Sequence, residues 1–345
     1  MLGGGIFVTQ NKILPGSYIN FVNATKASAT IGERGVVAIA LPLSFAEGKV
    51  IEITRAEFVK DSTTILGKAY DAPEVAPLRE IFCHAEKVYV YDLGGDGTVA
   101  EAVAALEPYD FNILCAYTDV DSDIKAYITQ VKSWRDDMGK KCQVVVYNQT
   151  KPDHEGVINV VSTVSDEGVA AHALIAWVAG AQAGCKVSES CTNMKYDGEY
   201  TVVVNKTQTQ LEACITAGQL AFHNVYGEVR VLEDINSLTT TTADKGEDFK
   251  SNQTMRVIDQ IANDIAKLFN TKYLGKIPNN ASGRVSLWAD IVAHHRELEE
   301  IQAIENFDSS LLTVEQGKTK KSVVINDCVT VVNAMAQLYM TVVVQ

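Results

Sequence analysis

Short apolar runs alternate with helical patterns through the middle of the chain. Lys87–Leu93, Asn112–Tyr117, Cys142–Tyr147 and Gly156–Val161 read as strands, apolar on both faces. Between them, Thr98–Leu106 predicts a helix opened by a capping box, with Thr98 as the cap and Glu101 three residues on. Asp121–Met138 predicts a second helix, with Ile124, Ile128, Val131 and Trp134 on one face and Gly139 as its stop. Gly168–Ala183 predicts a third. Strands that are apolar all round and separated by helices indicate a mostly parallel, covered sheet.

The flanks have other rhythms. Residues 1–60 read as strands and turns: Ile6–Thr9, Ser17–Val22, Val36–Leu41 and Val50–Thr54. The last third mixes helices at Thr207–Phe222, Asn252–Phe269 and Val285–Ile304 with β-prone runs at Val229–Ile235, Leu311–Val314, Ser322–Ile325 and Leu338–Val344. In Asn252–Phe269 the apolar stripe is Ile258, Ile261, Ile265 and Leu268, at 3/4 spacing. The expected fold class is α/β plus α+β, divided into an N-terminal arm (1–24), a β-rich N-terminal region (25–85), a central α/β domain (86–205), a C-terminal α+β domain (206–332) and a C-terminal arm (333–345).

Charge narrows the function. The 345 residues carry a formal net charge of −13. Residues 61–205 hold 11 basic against 22 acidic side chains, net −11. Nucleic acid is therefore not an expected partner, and an outward-facing middle is, because like charge favours solvent. The longest nearly apolar stretch, Val169–Ala181, has 13 residues against the roughly 20 that a spanning helix needs. No membrane insertion is expected, nor is a secretory signal read in the first residues. The seven cysteines are odd in number and widely spaced, so small buried hydrophobes are expected rather than disulfides or zinc ligands.

The sharpest chemical motif is Gly94-Gly95-Asp96-Gly97-Thr98, between a strand and a helix. Such a turn can aim backbone N–H groups at a phosphate. It fits a dinucleotide fingerprint, with Asp119 or Asp121 about 20 residues on, and it resembles the nucleotide loop of the diacylglycerol-kinase and NAD-kinase families over about a dozen residues. A nucleotide-binding enzyme is thus the alternative reading. Against it, the later Gly-Thr-x-Asn loop is missing and no Lys or Arg lies between Lys87 and Lys125. A tight strand-to-helix turn also needs glycine and a cap for structural reasons alone. His294 and His295 are adjacent, about 100° apart on a helix, and are not expected to share a metal. His172 is expected to be a satisfied core or boundary residue. Asp119, Asp121 and Asp123 open like a calcium loop but lack its glycine and closing Glu. No catalytic residue, cofactor or metal is expected.

The chain ends carry the stronger signal. Leu338–Val344 is an apolar strand with no charge or proline to protect its edge, and Ile6–Thr9 and Ser17–Val22 are unattached strands behind Gly3-Gly4-Gly5. Both suit strand addition between copies. The inter-subunit candidates are Ile6, Phe7, Val8, Tyr18, Ile19 and Phe21 at one end, and Leu338, Tyr339, Met340, Val342, Val343 and Val344 at the other. Two different surfaces meeting head-to-tail generate rings or helical filaments.

Over nearly its whole length the chain resembles the contractile-tail sheath proteins of phages and phage-tail-like bacteriocins. The resemblance runs through Pro15–Phe21, Glu33–Leu43, Lys87–Ala102, Val229–Thr239, Ser251–Phe269, Tyr273–Arg284 and Ala334–Val344, with Asp92 standing where the family usually has a basic residue. It implies a non-catalytic, subtilisin-like central domain in a minimal sheath. It also implies a helical homo-oligomer around an inner tail tube protein, with baseplate and tail terminator proteins as further partners. Assembly would take place in the host bacterial cytoplasm, and contraction would drive the tube through a cell envelope. Arg296, Glu297, Glu299 and Glu300 are the tube-facing candidates. The resemblance takes in phage and bacteriocin particles alike.

Overall fold

Val37, Ile39 and Leu41 point to one face of a sheet while Ala38 and Ala40 point to the other, and all five are buried. That pattern places their strand in the interior. The computed structural model describes residues 31–343. Within them, β1 (Val36–Leu41), β2 (Val50–Thr54), β3 (Lys87–Asp92), β4 (Ile113–Cys115), β5 (Gln143–Tyr147), β6 (Val157–Val160) and β7 (Gln219–Leu220) form one seven-stranded sheet in the order β2-β3-β1-β4-β5-β6-β7. All neighbours are parallel except β2, which runs antiparallel to β3.

Helices cover both faces. On one lie α1 (Arg55–Leu66), α2 (Ala76–Ile81) and α5 (Leu174–Gly184), packing Phe58, Leu78, Ile81 and Trp177 against the sheet. On the other lie α3 (Val99–Leu106) and α4 (Asp121–Asp136), contributing Val103, Leu106, Ile124, Val131 and Trp134. The rest of the chain holds α6 (Gln208–Thr216), the hairpin β8 (Phe222–Val225) and β9 (Glu228–Val231), α7 (Asn252–Leu268), α8 (Ala281–Glu300), and the short strands β10 (Ile304–Glu305), β11 (Thr313–Gln316), β12 (Val323–Asn326) and β13 (Thr330–Val331). β11 pairs with β12 and β10 with β13, both antiparallel.

Several expectations are corrected. The sheet runs across the boundaries expected at 85/86 and 205/206, since β1 and β2 pair with β3, and β7 pairs with β6. The segment expected to be β-rich also holds α1 and α2. Its sequence signal was a capping box, in which Thr54 accepts from the Glu57 amide and the Glu57 carboxylate accepts from the Thr54 amide. The helix expected over Thr207–Phe222 stops at Thr216. Gly218 turns left-handed there (φ +65°), and the chain continues as β7. Only Leu174–Gly184 of the Ala-rich stretch is helical, and His172 sits in the turn before it.

The largest departure is in α7. Its Ile258, Ile261 and Ile265 are only half-buried, whereas Asn252, Gln253, Arg256, Asp259, Gln260 and Asp264 are buried. A helix buries its polar stripe only where every group finds a partner. Asp259 pairs with Arg135 of α4, and Arg256 pairs with Asp234 at 3.1 Å. Asp234 also accepts from Gln182, from Asn252 and from the amide of Cys191. Gln143 of β5 donates to Asn252 at 3.1 Å. Burial and the neighbouring Arg256 push Arg34 down to about 10, and Arg34 reaches Gln260 and the carbonyls of Gln182 and Cys185. A polar seam thus fixes α7 to the α/β body. Its flanks pack into two smaller cores with α8, one around Leu268, Leu287 and Ile291 and the other around Val257, Leu298 and Phe307.

Candidate functional site

Two amides of the glycine-rich loop, those of Gly94 and Thr98, are taken by the chain's own carboxylates. Asp92, at the end of β3, accepts the amides of Leu43, Ser44, Phe45, Ala46 and Gly94 at 2.7–3.0 Å. Burial opposes ionisation of Asp92, but the amides outweigh it and hold the carboxyl below its usual value. At the start of α3, Glu101 closes the capping box on Thr98 by accepting from its amide and hydroxyl. Gly97 is needed for space: a Cβ there would lie 2.3 Å from the carbonyl oxygen of Leu93, whereas at Gly95 it would meet nothing within 4 Å. Asp92 and Glu101 supply the negative charge a phosphate would bring. The loop is a structural turn.

The other titratable groups resolve as follows. Asp136, His154 and Glu155 bring ligand-type atoms within 4.8 Å of one another. His154 Nδ1 accepts the Gly156 amide at 2.9 Å, so in the neutral ring Nε2 carries the proton and donates to Asp136 at 3.2 Å. Glu155 Oε2 lies 3.8 Å from that nitrogen with no hydrogen-bond partner, while Lys245 sits 2.6 Å from Glu155 Oε1 and provides the cation. A metal would need both imidazole nitrogens unprotonated, and the site does not fit one. His172 is buried edge-on against Tyr117, but its Nδ1 makes no hydrogen bond and lies 3.8 Å from Asp119, so it is not the satisfied residue expected. All seven cysteines are free; Cys328 is exposed and Cys83 half-buried, the other five being buried.

The C-terminal segment is anchored and then leaves the body. β13 pairs with β10, Val332 donates to the Ala303 carbonyl, and Gln253 of α7 bonds both the Val332 carbonyl and the Ala334 amide. Beyond Ala334, Leu338, Tyr339, Met340, Val342 and Val343 are 69–86% exposed. The strand expected there forms no ladder, because its backbone finds no partner strand among the described residues. Ile6, Phe7, Val8, Tyr18, Ile19, Phe21 and Val344 lie outside the described residues. Of the tube-facing candidates, Arg296 and Glu300 are exposed. Glu297 accepts the Ile31 amide at 3.3 Å, and Glu299 holds both Arg296 and the Phe307 amide.

Sequence reasoning missed the neighbourhood of His294 and His295. Both are fully buried, and despite their offset around the helix their Nδ1 atoms lie 3.3 Å apart. Each Nε2 meets a carboxylate, Asp264 at 2.9 Å and Asp327 at 2.7 Å. The available signal was the acidic Asp264 on the polar side of α7, a position that reads as solvated when the helix is taken alone.

Comparison with known proteins settles the family. Residues 95–237 match the phage tail sheath protein central domain, and residues 244–345 match the phage tail sheath C-terminal domain. The chain belongs to the phage tail sheath family. It is 31% identical over 231 residues to the tail sheath protein of Clostridium phage phiCD119, covering 66% of this chain and 63% of that relative, so it spans less than two-thirds of the relative's length. The crystal structure of a sheath tail protein from Desulfitobacterium hafniense superposes with a TM-score of 0.79 at 28% identity, over 94% of this chain and 99% of that one. The same fold recurs in the contracted helical sheath of the anti-feeding prophage, with a TM-score of 0.72 at 17% identity, over 96% of this chain and 99% of that one. The mixed α/β architecture is that of tail sheath structures.

Proposed function

We propose that this chain is a structural, non-enzymatic subunit of a contractile sheath. Copies polymerise into a helical tube around an inner tail tube, linked by terminal arms that add strands to a neighbour. The observation carrying this reading is the C-terminal segment. It is tied to α7 through Gln253, then presents Leu338–Val343 as an apolar run with no ladder among the described residues. Water exposure of such a run is costly, and pairing with another chain removes the cost. Each added strand contributes several backbone hydrogen bonds at about 0.5–1.5 kcal/mol net apiece, plus apolar burial.

Contraction then needs no nucleotide. An extended lattice held in a metastable state releases free energy stored in subunit contacts, and linked arms make the change cooperative. The body suits rigid-body movement, because the seam between α7 and the sheet consists of paired buried charges. In this reading the central α/β domain is a subtilisin-like, non-catalytic module and the acidic middle faces outward. Arg296, Glu297, Glu299 and Glu300 lie on the side toward the tube protein. Baseplate and tail terminator proteins cap the ends, and assembly takes place in the bacterial cytoplasm. Negative-stain electron microscopy of the purified full chain tests it. Tubes or rings are expected, and a compact single copy at high concentration would refute it.

A further inference from the structure

The chain Asp264–His294–His295–Asp327, buried except at its Asp327 end, contains three hydrogen-bond gaps in series: 2.9 Å, 3.3 Å and 2.7 Å. Each gap needs one proton. Two neutral imidazoles facing two carboxylates bring only two. With two, either the Nδ1 lone pairs oppose each other at 3.3 Å or a carboxylate faces an unprotonated nitrogen. With four, two N–H bonds collide. Both rings have no exposure to water, so solvent cannot relieve either mismatch. We propose that His294 and His295 hold one captured proton between their Nδ1 atoms, and that this charged pair positions the roots of both terminal arms.

The positioning follows from what the two carboxylates touch. Asp264 accepts the Gly32 amide at 3.1 and 3.2 Å and the Gln260 amide group at 2.9 Å. Gly32 lies in the region 25–85 that follows the expected N-terminal arm (1–24). Asp327 lies in the turn leading to β13, from which the C-terminal arm departs. The other groups facing the pair are consistent with a single added positive charge. Glu297 of α8 binds the neighbouring Ile31 amide, the Phe307 ring packs on His295 at 4.9 Å, and Arg34 bonds Gln260, which in turn donates to Asp264. The captured proton therefore offsets part of the negative charge of buried Asp264 and partly exposed Asp327, and joins two chain segments distant in sequence. The arm role rests on the function proposed above; the proton does not.

The test uses the full chain with 15N-labelled histidine, sedimented at pH 7 and studied by solid-state NMR, which works for subunits and polymers alike. A through-hydrogen-bond 15N–15N coupling between the two Nδ1 atoms is expected, with one ring protonated at both nitrogens. Asp327→Asn brings its own amide hydrogens and fills the third gap, so the coupling should persist while the doubly protonated ring disappears. Absence of the coupling in the unaltered chain, or persistence of the doubly protonated ring in Asp327→Asn, overturns the captured proton. Hydrogen exchange reads the clasp. In His295→Gln, the Gly32 and Val332 amides should exchange at least about tenfold faster while Val90 in β3 stays protected. If Val90 also loses protection, the comparison moves to Asp327→Ala, whose side chain is 26% exposed in the native chain. Unchanged exchange at both roots in a variant that keeps Val90 protected overturns the positioning role.

Discussion

Asp259 on α7 grips the guanidinium of Arg135 on α4 with both carboxylate oxygens, at 2.6 and 2.9 Å, across a buried seam. Arg135 also donates to the Cys142 carbonyl at 2.8 Å. Removing one partner strands the other charge, so Asp259→Ala should lower stability by about 3–5 kcal/mol. Replacing both by apolar residues of similar volume (Arg135→Met with Asp259→Leu) should restore most of that loss. Urea denaturation of the two variants checks both outcomes, and equal stability of the single and double variants would contradict the pairing.

Asp92 and Asp153 should dominate acid sensitivity. Burial opposes ionisation of each. The amides around Asp92, and the hydroxyls and amides of Thr239 and Thr240 around Asp153, win and hold both carboxyls below their usual range. A carboxyl lowered in the folded state adds stability that is fully present above its unfolded value of about 3.9 and is lost as pH falls below it. Asp92→Asn and Asp153→Asn should therefore flatten the loss of stability below about pH 4. Melting curves from pH 7 to 2.5 measure this; parallel curves for variant and native chain would sink it.

The two inner glycines of the Gly94–Thr98 loop should behave differently. Gly97→Ala forces a Cβ to 2.3 Å from a backbone oxygen and should cost about 1–3 kcal/mol, while Gly95→Ala meets open space and should stay within about 0.5 kcal/mol. A phosphate site would make Gly95 the sensitive position. Calorimetry with ATP and NAD should show no micromolar binding; an affinity abolished by Gly95→Val would revive the nucleotide reading.

Deleting Leu338–Gln345 should give folded subunits that do not polymerise. The deleted residues make no ladder within the described chain, so thermal stability should change little. Normal tubes from the truncated chain, seen by electron microscopy, would exclude the C-terminal arm.

Much of the secondary structure was readable because its signals are local. The Thr98–Glu101 capping box, the helix ended near Gly139 and the apolar strands β3 to β6 all stand in the structure. The missed helix α1 carried the same capping signal at Thr54 and Glu57, overlooked beside a β-prone run. The buried face of α7 was not legible in the same way. Its isoleucines give the stronger periodic pattern, yet the partners that let its polar side be buried come from Arg135 and Gln182, far away in the chain, and from Asp234 on the loop before it.

The sequence by itself determined the strand and helix periods, the absence of a membrane-length apolar run, the acidic middle and the apolar C-terminal segment. Each depends on side chains a few residues apart. Only the tertiary structure decided that Val36–Leu41 sits inside the same sheet as the later strands, that Asp92 fills an amide nest, and that two adjacent histidines meet between Asp264 and Asp327. Those outcomes depend on which distant groups burial brings together, and a buried charge is tolerated only where such a partner arrives.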